Sequence, residues 1–129
     1  MDPMVRRAQA LFEAFQVGDD RAVYALCSPD CQAIQNGGPA MTLQTLLRFS
    51  ARVRSLMRDF RYEDCRRMPT PEGFVEEHRV CGTLPDGTVF EMIACIVADV
   101  RDDRITELRE YFDSAQATRL AEALAARPA

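Results

Sequence analysis

The chain has 129 residues, which fits one domain, residues 1–129, able to bury a core and enclose a pocket. With 47% hydrophobic residues, 28% charged residues and a net charge of -4, it has the make-up of an ordinary globular protein, and no Lys/Arg run points to nucleic acid. No apolar stretch reaches the length of a membrane span and no leader pattern opens the chain, so no membrane partner is expected and the protein is read as cytoplasmic.

Residues 4–16 place Val5, Ala8, Leu11, Phe12 and Phe15 on one face, which is helical spacing. Gly18 stops that helix, and the following aspartates cap a short second one, "DRAVYALC". Cys31 to Gln35 alternates weakly as a short strand, and "NGGP" (Asn36 to Pro39) is a turn. Thr42 is the N-cap of a long helix to about Arg58, with Leu43, Leu46, Leu47, Val53, Leu56 and Met57 recurring at helical steps.

From residue 60 the period changes to two. "FRYEDCRRM", "GFVEEHRVCGTL", "TVFEMIACIVADV" and "ITELREYF" are strands, and Pro85-Asp86-Gly87 is a hairpin turn. "SAQATRLAEALAA" closes the chain as a helix capped by Asp113. Three helices and an early strand followed by an antiparallel meander give an α+β layout, with helices covering one face of a curved sheet.

The five cysteines (Cys27, Cys31, Cys65, Cys81, Cys95) match no metal template and are read as free buried thiols. One histidine, His78, and no G-x-S-x-G run leave no catalytic triad, and His78 is placed at the rim or on the outer face.

The segments "FQVGDDRAVYALCSPDCQAI" and "GTLPDGTVFEMIACIVADVRDDRITELREYFDSAQ" resemble the NTF2-like superfamily in its SnoaL-like branch, above all in the Gly-Asp before the second helix and the final "REYFD". The resemblance implies a cystatin-like cone: three N-terminal helices on a strongly curved, mostly antiparallel sheet, a C-terminal helix and a deep apolar pocket. The superfamily includes limonene-epoxide hydrolases, ketosteroid isomerases, polyketide cyclases and ligand binders, so it implies a pocket more firmly than a reaction.

Within that cone, Phe90, Met92, Ala94, Ile96 and Ala98 form the inward set of one strand. Leu108, Glu110 and Phe112 form that of the last. On the third strand the resemblance puts Glu77, Arg79 and Cys81 inward. Limonene-epoxide hydrolases activate water with a carboxylate on the "REYFD"-type strand and relay protons through an arginine and an acid two residues apart. Carried over, Glu110 matches the base, Glu77 falls where that family has arginine, and Arg79 where it has aspartate. The pair is therefore inverted. Gln35 stands at an asparagine position and Ala33 at a tyrosine position. The ketosteroid isomerase pattern is absent, its three positions reading Gln35, Leu11 and Ile96.

Glu110, Arg79 and Glu77 are thus the expected catalytic residues, with Gln35, Phe90, Met92, Leu108, Phe112 and Cys81 against the substrate and no metal or cofactor. The expected activity is general acid/base chemistry on a hydrophobic small molecule, of the epoxide-opening, cyclase or isomerase type. The alternative is a non-catalytic module that binds an apolar ligand. Ile93, Cys95, Val97 and Tyr111 would leave an apolar outer patch, so a homodimer is expected.

Overall fold

The computed structural model describes residues 1–127. Its elements are α1 Pro3–Val17, α2 Asp20–Leu26, β1 Cys27–Gln35, β2 Met41–Thr42, α3 Leu43–Leu56, β3 Arg58–Pro69, β4 Gly73–Thr83, β5 Val89–Arg101, β6 Arg104–Phe112 and α4 Ser114–Ala126. Each helix starts on a side-chain oxygen. Asp2 accepts from the Met4 amide, Asp19 from Ala22, Thr42 from Thr45, and Asp113 from Ala115 and Gln116. Caps of this kind are worth about 1 kcal/mol each. Gly18 closes α1 with φ 79, a left-handed conformation that glycine takes without strain.

The short helix ends one residue earlier than the sequence pattern suggests, and the early strand starts at Cys27 rather than Cys31. Pro29 is the cause. It has no N–H to donate and pushes Ser28 into extended backbone. The long helix likewise ends at Leu56, just short of the expected Arg58.

One six-stranded sheet runs in the order β2-β1-β6-β5-β4-β3. All neighbours are antiparallel except β1 and β6. Two one-residue register shifts interrupt β3, one after Arg58 and one after Glu63. At each shift an aspartate takes left-handed backbone, Asp59 with φ 56 and Asp64 with φ 54. Aspartate tolerates this better than most residues, and each bulge bends the strand and increases its twist. The sheet therefore curls around the helices. α1 packs on β3 and β4, and α4 on β5 and α3. Together they enclose a core that includes Leu11, Phe12, Phe15, Val53, Phe74, Phe90, Met92, Ile96 and Leu108. Among the described residues, no helix is long and apolar enough to cross a membrane.

The register of β4 against β5 decides which residues reach the interior. Val80 lies opposite Met92, His78 opposite Ala94, and Glu76 opposite Ile96. Residues directly opposite share a face. The interior side of β4 therefore carries Phe74, Glu76, His78 and Val80, all buried. The inward placement expected for Glu77 and Arg79 is corrected: both lie on the outer face and are exposed. Each parity of β4 mixes two strongly polar side chains with two less polar ones, so its own pattern decides little. Burying Phe74 and Val80 against the β5 core removes more apolar surface than burying Val75 and Cys81 would. His78, expected at the rim, is also corrected to the interior.

Candidate active site

Between α1, α3, α4 and the inner face of the sheet lies a cavity of about 340 Å³. Phe12 and Phe15 of α1, and Leu46, Phe49, Ser50 and Val53 of α3, form one side. Ala117, Leu120, Ala121 and Leu124 of α4 close another. The sheet contributes Ala33, Gln35, Phe60, Tyr62, Val80, Met92, Ile96, Leu108, Glu110 and Phe112. Gln35, Met92, Leu108, Glu110 and Phe112 come together on the cavity; strand alternation suggested the last four, and the family resemblance Gln35.

Phe90 and Cys81 do not reach the cavity wall. Phe90 is packed in the closed core. Cys81 is buried on the opposite face of β4 beside the Glu63 carboxylate, and burial pushes its thiol up to about 11. Arg79 reaches Asp64 at 3.3 Å and Glu91 at 3.5 Å on the exposed side. Arg109 points outward too, held by Asp99 at 2.8 Å and Glu107 at 2.7 Å.

Glu110 is the one carboxylate on the cavity wall among the described residues. Gln35 Nε2 donates a hydrogen bond of 3.0 Å to its Oε1. The neighbouring wall is apolar: Leu108 and Phe112 flank Glu110 along β6, and Ile96 lies opposite. Burial pushes the Glu110 carboxyl above the usual range, while the Gln35 bond and the nearby His78 pull it partway back. A buried carboxyl whose neutral form is favoured in this way can give or take a proton at a bound molecule.

A second polar cluster lies further along the same cross-strand row. Arg67 pairs with Glu76, Glu76 with Ile96, Ile96 with Glu110, and Glu110 with Gln35. Glu76 is fully buried. Its Oε1 accepts from Arg67 Nε at 2.5 Å and its Oε2 faces His78 Nδ1 at 2.6 Å. The His78 ring stacks on Tyr62, centroids 4.3 Å apart, and meets the edge of Phe12 at 5.1 Å. Tyr62 is thus the cavity-facing cover of the Arg67–Glu76–His78 group, and burial, with Glu110 and Glu76 nearby, raises its phenol well above the ordinary range. Asp64, two residues on, lies in the bulge and is exposed.

Alternation along β3 does not by itself assign a face to Tyr62, and nothing in the sequence singled out Glu76. The signal that could have found Glu76 is the pairing parity across the hairpin, not the composition of β4. The helix-borne wall carries no polar pattern to announce it.

Residues 8–108 match the family described as the SnoaL-like domain. No curated protein matches the sequence. Solved structures share the fold at low identity. A candidate polyketide cyclase from Xanthomonas campestris pv. campestris is 24% identical, with 94% of this chain and 96% of that one covered and a TM-score of 0.77. An LEH-like epoxide hydrolase from M. tuberculosis is 20% identical over 96% and 93% of the two chains, with a TM-score of 0.71. BvnE pinacolase from Penicillium brevicompactum is 14% identical over 97% and 92%, with a TM-score of 0.81.

Proposed function

Since the chain belongs to the SnoaL-like family, a fold that supplies a pocket without dictating its chemistry, we propose that it is a small-molecule enzyme in which Glu110 transfers a proton to or from an apolar substrate. The observation that carries this reading is Glu110 itself: a carboxyl set in an apolar wall, raised in pKa, with one oxygen held by Gln35. Gln35 fixes Oε1, which leaves Oε2 for a substrate oxygen or a water. The cavity, about 340 Å³, lies at the small end of the roughly 300–1,000 Å³ typical of small-molecule sites. The substrate class is therefore a compact hydrophobic molecule with one oxygen function.

Two reaction types fit one poised acid. Neutral Glu110 can protonate a strained ether oxygen as a ring opens; ionised Glu110 can activate water or remove a proton next to a carbonyl during cyclisation or isomerisation. Neighbouring folds that carry epoxide hydrolase, pinacolase and candidate cyclase activities support this range. Arg79 and Glu77 have no part in it. Among the described residues, a relay of the carboxylate–arginine–carboxylate kind finds no counterpart on the cavity wall, because Arg67 is held by Glu76 behind Tyr62.

A second reading, a binding module for an apolar ligand, is favoured by the tyrosine position taken by Ala33 and by the single carboxylate on the wall. A panel of small apolar epoxides and β-dicarbonyl compounds separates the two. Turnover by the wild type that falls about 10²–10⁴-fold in Glu110→Gln, with binding kept, supports the enzyme. Binding of the panel without turnover in either protein would establish the binding module instead.

A further inference from the structure

We propose that Cys65, Glu76 and His78 form a binding site for a divalent metal ion of the zinc type, separate from the Glu110 chemistry. The Cys65 sulfur, a Glu76 carboxylate oxygen and a His78 ring nitrogen all lie within 4.8 Å of one another. Thiolate, imidazole and carboxylate are the donors that zinc takes. Its bonds of about 2.0–2.3 Å put tetrahedral donors about 3.3–3.8 Å apart. The Glu76–His78 contact of 2.6 Å therefore has to open, and the Cys65 sulfur to move in, each by about 1 Å, to seat an ion.

The backbone brings the set together. Between the pairs Glu63–Arg79 and Arg66–Glu77, two residues of β3, Asp64 and Cys65, lie opposite one residue of β4, His78. The bulge changes which residues face in. Before it, Phe60 and Tyr62 reach the cavity; after it, Arg67 reaches Glu76. In an uninterrupted strand Cys65 would share a face with Glu63, away from His78. The bulge instead delivers its sulfur to the Glu76–His78 pair, and bulges are over-represented where a strand re-aims a functional side chain.

The surroundings suit a bound ion. Glu76 and His78 are both more than nine-tenths buried, so their positions are fixed by packing. Arg67 holds Glu76 Oε1, which is the outer-shell support that ligating carboxylates commonly have, and leaves Oε2 to the metal. Tyr62 and Phe12 fix the imidazole plane. Cys65 is exposed, and β3 is the outermost strand of the sheet, so the ion has a path from solvent and a fourth position open to water. Binding inserts the cation between His78 and Glu76 Oε2, leaves the ring proton of His78 on the nitrogen that does not ligate, and releases the Cys65 thiol proton. A thiolate and a carboxylate then balance the two charges of the metal. The cysteine spacing shows none of this, because one ligand comes from β3 and two from β4.

Cobalt(II) serves as the probe, because thiolate ligation gives it a charge-transfer band in the near ultraviolet. Chelator-treated protein titrated with Co²⁺ should bind one equivalent and develop that band, and Zn²⁺ should displace it. Cys65→Ser, at an exposed position, should keep the fold and lose the band, with affinity lowered at least about tenfold. Cys95→Ser, also on the sheet but outside the cluster, should bind as the wild type does. Absence of binding at micromolar Co²⁺, or a band that survives Cys65→Ser, overturns the proposal; the latter would move the metal to other thiols. Because the readout is metal absorption, it is independent of whether Glu110 turns anything over.

Discussion

Glu76 and Glu110 stand on either side of Ile96 in one cross-strand row, yet the protein treats them oppositely. Two strand spacings separate them, about 10 Å between backbones. Glu76 is given a guanidinium and an imidazole; Glu110 is given an amide and an apolar wall. One carboxyl is tied to Arg67 and His78, and the other is buried where its neutral form is favoured. Environments that differ in this way are how a fold assigns different roles to chemically equal groups.

Glu110→Gln should change stability in a pH-dependent way. The native pKa of Glu110 is raised, so the folded state holds the proton more tightly than the unfolded chain does. The stability this contributes is fully present below the ordinary glutamate value, about 4.3, and is lost as pH rises through the native value. The variant removes that loss. It should melt at or above wild type at neutral pH, and the advantage should shrink as pH falls toward 4. Thermal melts from acid to neutral pH check this. A melting difference that stays flat across the range would mean that Glu110 does not titrate from a buried position.

The two halves of the Arg67–Glu76 pair should not be equivalent. Arg67→Met leaves a fully buried carboxylate with His78 alone, and a broken buried pair costs about 3–5 kcal/mol. Glu76→Gln leaves an arginine whose side chain is 20% exposed and can turn to water, while the amide oxygen still meets His78. That change should cost less, about 1–3 kcal/mol. Urea unfolding of the two variants gives the order directly, and the reverse order would contradict the burial of Glu76.

Arg79→Met should be close to silent. Its partners Asp64 and Glu91 are exposed, and pairs of that kind contribute little. Stability should stay within about 0.5 kcal/mol of wild type. The Glu110 carboxyl signal in an NMR titration should keep its midpoint, since the guanidinium lies on the other side of the sheet. A moved midpoint would put Arg79 back in the cavity.

The outer sheet face should pair two copies of the chain. Ile93 is 58% exposed, Val89 64% and Tyr111 47%, next to the half-buried Cys95 and Val97. An apolar strip of this kind calls for a partner, and its position beside exposed Arg79 and Glu91 provides a polar rim. Light scattering at micromolar concentration should give a dimer mass, and Ile93→Arg should give a monomer. A wild-type monomer would end this expectation.

Much of the architecture was legible in the residues themselves. Helical spacing in α1 and α3, the caps at Thr42 and Asp113, and the two-residue period after position 60 are local signals, and local backbone preference honours them. The inward run Phe90–Ala98 and the placement of Glu110 between Leu108 and Phe112 were equally plain, because one face of each strand is more apolar than the other. Helix α2 is a smaller case, where Pro29 overruled the pattern one residue early.

What the tertiary structure alone decided is the face of β4 and the shape of β3. In β4 the two parities are nearly balanced in polarity, so the choice was made by its neighbour: Met92 is inside, and Val80 lies across from it. Glu76 and His78 therefore went inward and Glu77 and Arg79 outward. In β3 a bulge at Asp64 changed the parity in mid-strand, which an alternation count cannot anticipate, and so brought Cys65 to the buried pair. A side-chain period of two makes every such one-residue shift an exchange of inside for outside, and only pairing with the next strand determines it.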